Sequence, residues 1–178
     1  MTSTVVIFHS GYGHTQRLAQ QVADGADAQL VAINAQGAIT DDEWAALDAA
    51  DAIIMGAPTY MGSVSWQFKK FADASSKRWY AGTWKDKVAG GFTCSGYPSG
   101  DKVATLQTIF TLAMQHGMVW VGLGMMGNEN INRLGASMGL MAHASNTTPA
   151  EAMHHGDLET AFAYGQRVAQ VTAKLRAV

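Results

Sequence analysis

Val5-Val6-Ile7-Phe8-His9-Ser10-Gly11-Tyr12-Gly13-His14-Thr15 decides the fold, because the hydrophobic pattern changes inside it. Val5 to Phe8 is a continuous apolar run, the pattern of a strand buried on both faces of a sheet. From Thr15 to Ala26 the residues Leu18, Val22 and Ala26 recur at four-residue spacing, which makes one helical face. The turn between them is rich in small residues. A doubly buried strand feeding a helix implies a crossover to a parallel neighbour.

The same alternation continues along the chain. Leu30 to Ile33 reads as a second strand. Thr40-Asp41-Asp42-Glu43 is a capping box that opens a short helix ending near Leu47. Ala52 to Met55 is the third strand, and Ser65 to Ala74 a helix carrying Trp66, Phe68 and Phe71. Val88 to Thr93 is the fourth strand. Lys102 to His116 is a helix with Val103, Leu106, Phe110 and Ala113 on one face and Gly117 at its end. Met118 to Leu123 is the fifth strand. Thr148-Pro149-Ala150-Glu151 reads as a second capping box, opening a final helix with Leu158, Phe162 and Val168. The expectation is one α/β domain over residues 1–178, a doubly wound parallel five-stranded sheet with helices on both faces. Gly124 to Thr147 lacks a period, and a structureless loop of that length points to a function.

The 178 residues suffice to bury a core without disulfides or metals. A composition 48% hydrophobic and 15% charged is that of a globular protein. A net charge of −2 supplies no drive toward nucleic acid or acidic membranes, and no apolar run is long enough for a bilayer. Met1 to Ser10 has no basic residue before its apolar stretch, unlike a signal peptide. Cys94 is the single cysteine, which fits a reducing, cytoplasmic setting.

In open parallel sheets ligands bind beyond the carboxyl ends of the strands. After strand one, Ser10-Gly11-Tyr12-Gly13-His14-Thr15 runs into a helix whose first amides suit a phosphate, with hydroxyls from Ser10 and Thr15. There is no lysine for a P-loop, and Gln16 stands where a dinucleotide fingerprint needs its third glycine. One terminal phosphate fits better than a pyrophosphate. After strand three come Pro58, Thr59, Tyr60, Met61 and Gly62. After strand four come Cys94, Ser95, Gly96, Tyr97, Pro98, Ser99 and Gly100. Three such loops at one sheet edge make a slot for a flat ring with a phosphate tail. A phospho-acceptor receiver domain would need acidic residues where His9-Ser10 and Ala57-Pro58 stand.

Taken together, these motifs resemble those of the flavodoxin-like NAD(P)H:quinone oxidoreductases of the tryptophan-repressor-binding-protein branch. The likeness rests on Ser10 to His14, Gly56 to Thr59 with Gly62, Phe92 to Gly96, and His116 to Val119. It implies a flavodoxin-like fold and non-covalent FMN. It implies phosphate contacts from Ser10 to Thr15 and ring contacts from Thr59 to Met61 and from Cys94 to Ser99. It also implies substrate-side positions at Trp79 and His116. Gln115 stands where the family carries a histidine beside the flavin. The implied reaction passes two electrons from NADH or NADPH to a small quinone-like acceptor, in a homodimer or homotetramer. No side chain is assigned as acid or base, since the cofactor carries the chemistry.

Blander readings stand beside these. Cys94 contributes backbone to its loop rather than a reactive thiol. Adjacent His154 and His155 do not share a helix face and do not suggest a metal. His14 either balances phosphate charge or supports the turn. Met125, Met126, Met138 and Met141 form either a lid or loop core. Rival functions are a flavodoxin electron carrier, disfavoured by the weak net charge, and an FMN-binding redox sensor.

Overall fold

The computed structural model describes residues 2–145 and 147–177. Strands β1 (Thr4–Phe8), β2 (Gln29–Ala32), β3 (Ala52–Tyr60), β5 (Val88–Ser95) and β6 (Val119–Trp120) form a sheet in the order β2-β1-β3-β5-β6. All four pairings in this path are parallel. Short β4 (Ser63–Val64) folds back on β3, and β7 (Leu140–His143) pairs in parallel with β5. The helices are α1 (His14–Ala26), α2 (Asp41–Ala49), α3 (Trp66–Ala74), α4 (Ser76–Ala81), α5 (Lys102–Gln115) and α6 (His155–Arg176).

The apolar run in β1 explains the layering. Val6 and Phe8 pack with Ile54 against Leu18, Val22, Tyr164 and Val168 of α1 and α6. Val5 and Ile7 pack with Ile53 and Met55 against Leu47, Phe68, Phe71 and Ile109 of α2, α3 and α5. Both faces of one strand are therefore buried, as its sequence requires. Glycines allow α1 and α6 to lie close: a Cβ on Gly25 would run into the Phe162 carbonyl, and one on Gly165 into that of Val22. The first capping box forms, with Thr40 and Glu43 bonding reciprocally.

Three expectations need correction. The fifth strand does not run from Met118 to Leu123. β6 covers only Val119–Trp120, after which the chain leaves the sheet and returns as β7 beside Phe92 to Ser95. The fifth column is thus two strands interrupted by an excursion, and the described residues 124–145 are not structureless. Asn132 and Arg133 order that excursion. The Asn132 amide donates to the Met125 and Ala136 carbonyls, and Arg133 makes two bonds of 2.8 Å to Asp157. Second, Thr148 caps no helix. Pro149 precedes a single turn at Ala150–Ala152, and α6 begins at His155, with the His154 ring accepting the Gly156 amide. Third, β3 runs on to Tyr60 and turns through Met61-Gly62, whose φ angles of 49° and 75° are those of a tight two-residue hairpin.

Candidate functional site

β1 pairs with β2 on one side and β3 on the other, so the chain reverses its winding between β1 and β3. A crevice opens at such a point, beyond the carboxyl ends of the strands. Pro58 and Cys94 are register partners in β3 and β5, so the loops that follow them leave the sheet side by side. The resulting cleft has a volume of about 580 Å³, within the ordinary range for a small-molecule site.

The loop after β1 forms one wall. Gly13 takes φ 89°, which favours glycine, and its amide donates to Ser10 Oγ at 3.1 Å. This turn aims the start of α1 at the cleft, where the amides of the first helical turn have no partner within the helix. His14 Nε2 lies 2.6 Å from the Thr148 carbonyl, so the ring ties this loop to the chain ahead of α6. His14 also borders the cleft. The lining holds no Lys or Arg, so an anion here would be met by helix dipole, amides and hydroxyls.

The second wall is the hairpin of β3 and β4. The Tyr60 hydroxyl packs so close to Gly11 that a Cβ there would collide with it, and burial pushes the Tyr60 phenol above its ordinary pKa. Tyr12 meets Tyr60 edge-on, and Met61 at the hairpin tip is fully exposed. The third wall is the loop after β5. It is fastened by Lys102, a residue that sequence reading placed only as a helix start. Lys102 is 1% exposed, and its ammonium donates to Ser95 Oγ at 2.8 Å and to the Tyr97 and Pro98 carbonyls at 2.7 and 2.9 Å. Burial lowers its pKa. A lysine after Ser-Gly-Asp looks solvated in sequence, and no local signal marks it as buried. Cys94 is buried beneath this loop, and desolvation pushes its thiol up to about 12. It is therefore a packed small residue, poor as a nucleophile at neutral pH.

Of the residues expected at the site, Ser10, Gly11, Tyr12, His14, Thr15, Pro58, Thr59, Tyr60, Met61, Gly62, Cys94, Ser95, Gly96 and Tyr97 line the cleft, joined by Gly100, Asp101 and Ala144. Gly13, Pro98 and Ser99 do not line it. Gly13 sets the turn, and Pro98 receives Lys102. Trp79, Gln115 and His116 do not line it either. They border a separate recess of about 210 Å³ between α3, α4 and α5. Helix α5 runs from the cleft to the opposite end of the strands, which carries its last turn away from the site. His116 is buried against Trp84 at 4.4 Å between ring centres, hydrogen-bonds Ser75, and has its pKa lowered by desolvation. None of the four methionines weighed as a lid lines the cleft, and Met125 and Met141 pack against the core.

With the geometry in place, comparison with known proteins is direct. Residues 5–130 match the family described as NADPH-dependent FMN reductase. A protein of Pseudomonas aeruginosa named Flavodoxin FldP is 48% identical, over 99% of this chain and 100% of its own. An Archaeoglobus fulgidus protein named NAD(P)H dehydrogenase (quinone) is 33% identical, over 98% of this chain and 100% of its own. The crystal structure of a flavodoxin, WrbA-like protein from Agrobacterium tumefaciens superposes with a TM-score of 0.85. It shares 53% identity, over 98% of this chain and 99% of that one. This chain belongs to the NADPH-dependent FMN reductase family, in its WrbA-like, flavodoxin-fold branch of FMN-dependent oxidoreductases.

Proposed function

We propose that the protein passes two electrons from NADH or NADPH to a quinone or similar small acceptor, using FMN held in the 580 Å³ cleft. The observation that carries this reading is the convergence of three walls: an amide-rich helix start, a tyrosine-bearing hairpin, and a small-residue loop. The donor set fits FMN. The α1 start offers amides and the Ser10 and Thr15 hydroxyls to one phosphate, while Tyr12, Tyr60 and Tyr97 offer aromatic surface to a ring. FMN bound there supplies hydride acceptance and two-electron release. The chain's own work is to bind and orient. Lys102 holds the third wall, and the Ser10–Gly13 turn aims the amides. Relatives named NAD(P)H dehydrogenase (quinone) support the choice of donor and acceptor.

A homodimer or homotetramer is part of the proposal. Any role for Trp79, Gln115 or His116 at a flavin needs a second copy to bring their recess to the cleft. A second reading, an electron carrier to protein partners, is favoured by the 48% identity to a protein named flavodoxin. The test is a visible spectrum with and without added FMN, then NADH or NADPH with a small quinone. Flavin binding with quinone-dependent nicotinamide oxidation is expected. Flavin binding without turnover selects the carrier. No flavin binding removes both.

A further inference from the structure

Thr59 borders the cleft at the end of β3, and its hydroxyl is flanked by two others. Thr59 Oγ1 lies 2.9 Å from Thr93 Oγ1 in β5 and 2.8 Å from Thr105 Oγ1 in α5. Thr93 and Thr105 are both 0% exposed. Among the described residues, Thr59 is the only side-chain partner that either hydroxyl has. The comparison with other threonines is informative. Thr108, Thr160 and Thr172 each give the hydroxyl proton to a carbonyl four residues back in their own helix. Thr105 is also inside a helix and makes no such bond.

A hydroxyl carries one proton and two lone pairs. If Thr59 donated to either neighbour, that neighbour's proton would be left buried without an acceptor, a costly arrangement. If both neighbours donate to Thr59, every buried proton is placed and both Thr59 lone pairs are filled. The Thr59 proton then has one direction left, into the cleft. We infer that Thr93 and Thr105 are positioning residues that make Thr59 an obligatory hydrogen-bond donor toward the bound molecule. Thr59 therefore selects an acceptor edge on the ring, a carbonyl oxygen or an unprotonated ring nitrogen, and disfavours an N–H at that point. This rests on the reading of the cleft as the FMN site.

The experiment is FMN titration of the intact protein, followed by fluorescence quenching and visible absorbance, with thermal stability read on the same samples. T59V is expected to weaken FMN binding about five- to tenfold and shift the flavin spectrum, while T59S restores both. T93V and T105V singly are expected to stay within about twofold, since one remaining neighbour still fixes the direction. The T93V/T105V double variant is expected to lose at least about threefold and to show the spectral shift, and T93S/T105S to behave as wild type. In a T59V background the same double substitution is expected to leave FMN affinity unchanged, because its effect runs through Thr59. A measurement without variants is proton NMR of the flavin-free protein. It is expected to find the Thr93 and Thr105 hydroxyl protons slow to exchange and that of Thr59 fast. Wild-type protein that binds no FMN overturns the cleft reading and this inference with it. Wild-type binding with T59V or the double variant unchanged, or a protected Thr59 proton, overturns the inference alone.

Discussion

Lys102→Met is the most direct test of how the third wall is held. The ammonium is 1% exposed and donates three hydrogen bonds of 2.7–2.9 Å to Ser95, Tyr97 and Pro98. Methionine keeps the length and apolar body of the side chain and removes all three donors. At a net contribution of about 1 kcal/mol per bond, the loss is about 3 kcal/mol. Removing a buried charge offsets part of this, so about 2–3 kcal/mol is the expected cost. For a chain of this size that corresponds to a fall in Tm of about 4–12 °C. The loss is local to residues 95–98, which form one wall of the cleft, so FMN affinity should fall as well, by about tenfold. The assay is thermal unfolding without FMN, then FMN titration at a temperature where both proteins are folded. An unchanged Tm would show that the three bonds contribute nothing net. A lowered Tm with unchanged FMN affinity would refute the claim that Lys102 shapes the site.

Asp157→Ala removes the partner of Arg133 and the acceptor of the His143 amide, at 2% side-chain exposure. It should cost about 2–3 kcal/mol, below the fully buried value because Arg133 keeps contact with water, and should speed proteolysis within 124–139. Equal proteolysis rates would refute that anchoring. His9 and His116 both have pKa values lowered by burial, whereas the unfolded chain protonates near 6.5. The unfolded state therefore binds more protons below that pH. Stability should be flat above about pH 7 and fall below 6.5, with a limiting slope of about 1.4 kcal/mol per pH unit for each histidine, until the folded-state values are reached. Urea unfolding at pH 7.5 and 5.5 checks this, and equal midpoints would contradict it. Cys94, buried with its thiol pushed up to about 12, should resist iodoacetamide in the folded protein at pH 8 and react in denaturant. Labelling of the folded form would refute the packed-residue reading.

Local sequence alone was enough for the first four strands of the parallel sheet and for the turn that opens the first wall of the cleft. Val5 to Phe8 could only be a strand buried on both sides, and the glycine turn that follows leads directly into α1. The order of elements, together with the rule that ligands gather at strand carboxyl ends, brought the three loops to one edge. These features depend on neighbours within a few residues, or on topology that alternation enforces. What tertiary structure decided depends on partners far apart in the chain. Lys102 reads as a surface lysine until the backbone of 95–98 curls over it. Thr93 and Thr105 read as a strand and a helix residue until β3 places Thr59 between them. The fifth column is split because β5 offers one edge to two segments, and only the bonds of Asn132 and Arg133 show that the intervening chain can leave and return. Gln115 and His116 follow motifs that sequence can read, yet α5 carries them to the far end of the sheet, since a helix of fourteen residues spans about 21 Å, and Trp79 of α4 borders the same recess. Periodicity records which side of an element is buried. It does not record what that side meets, and the site is made of those meetings.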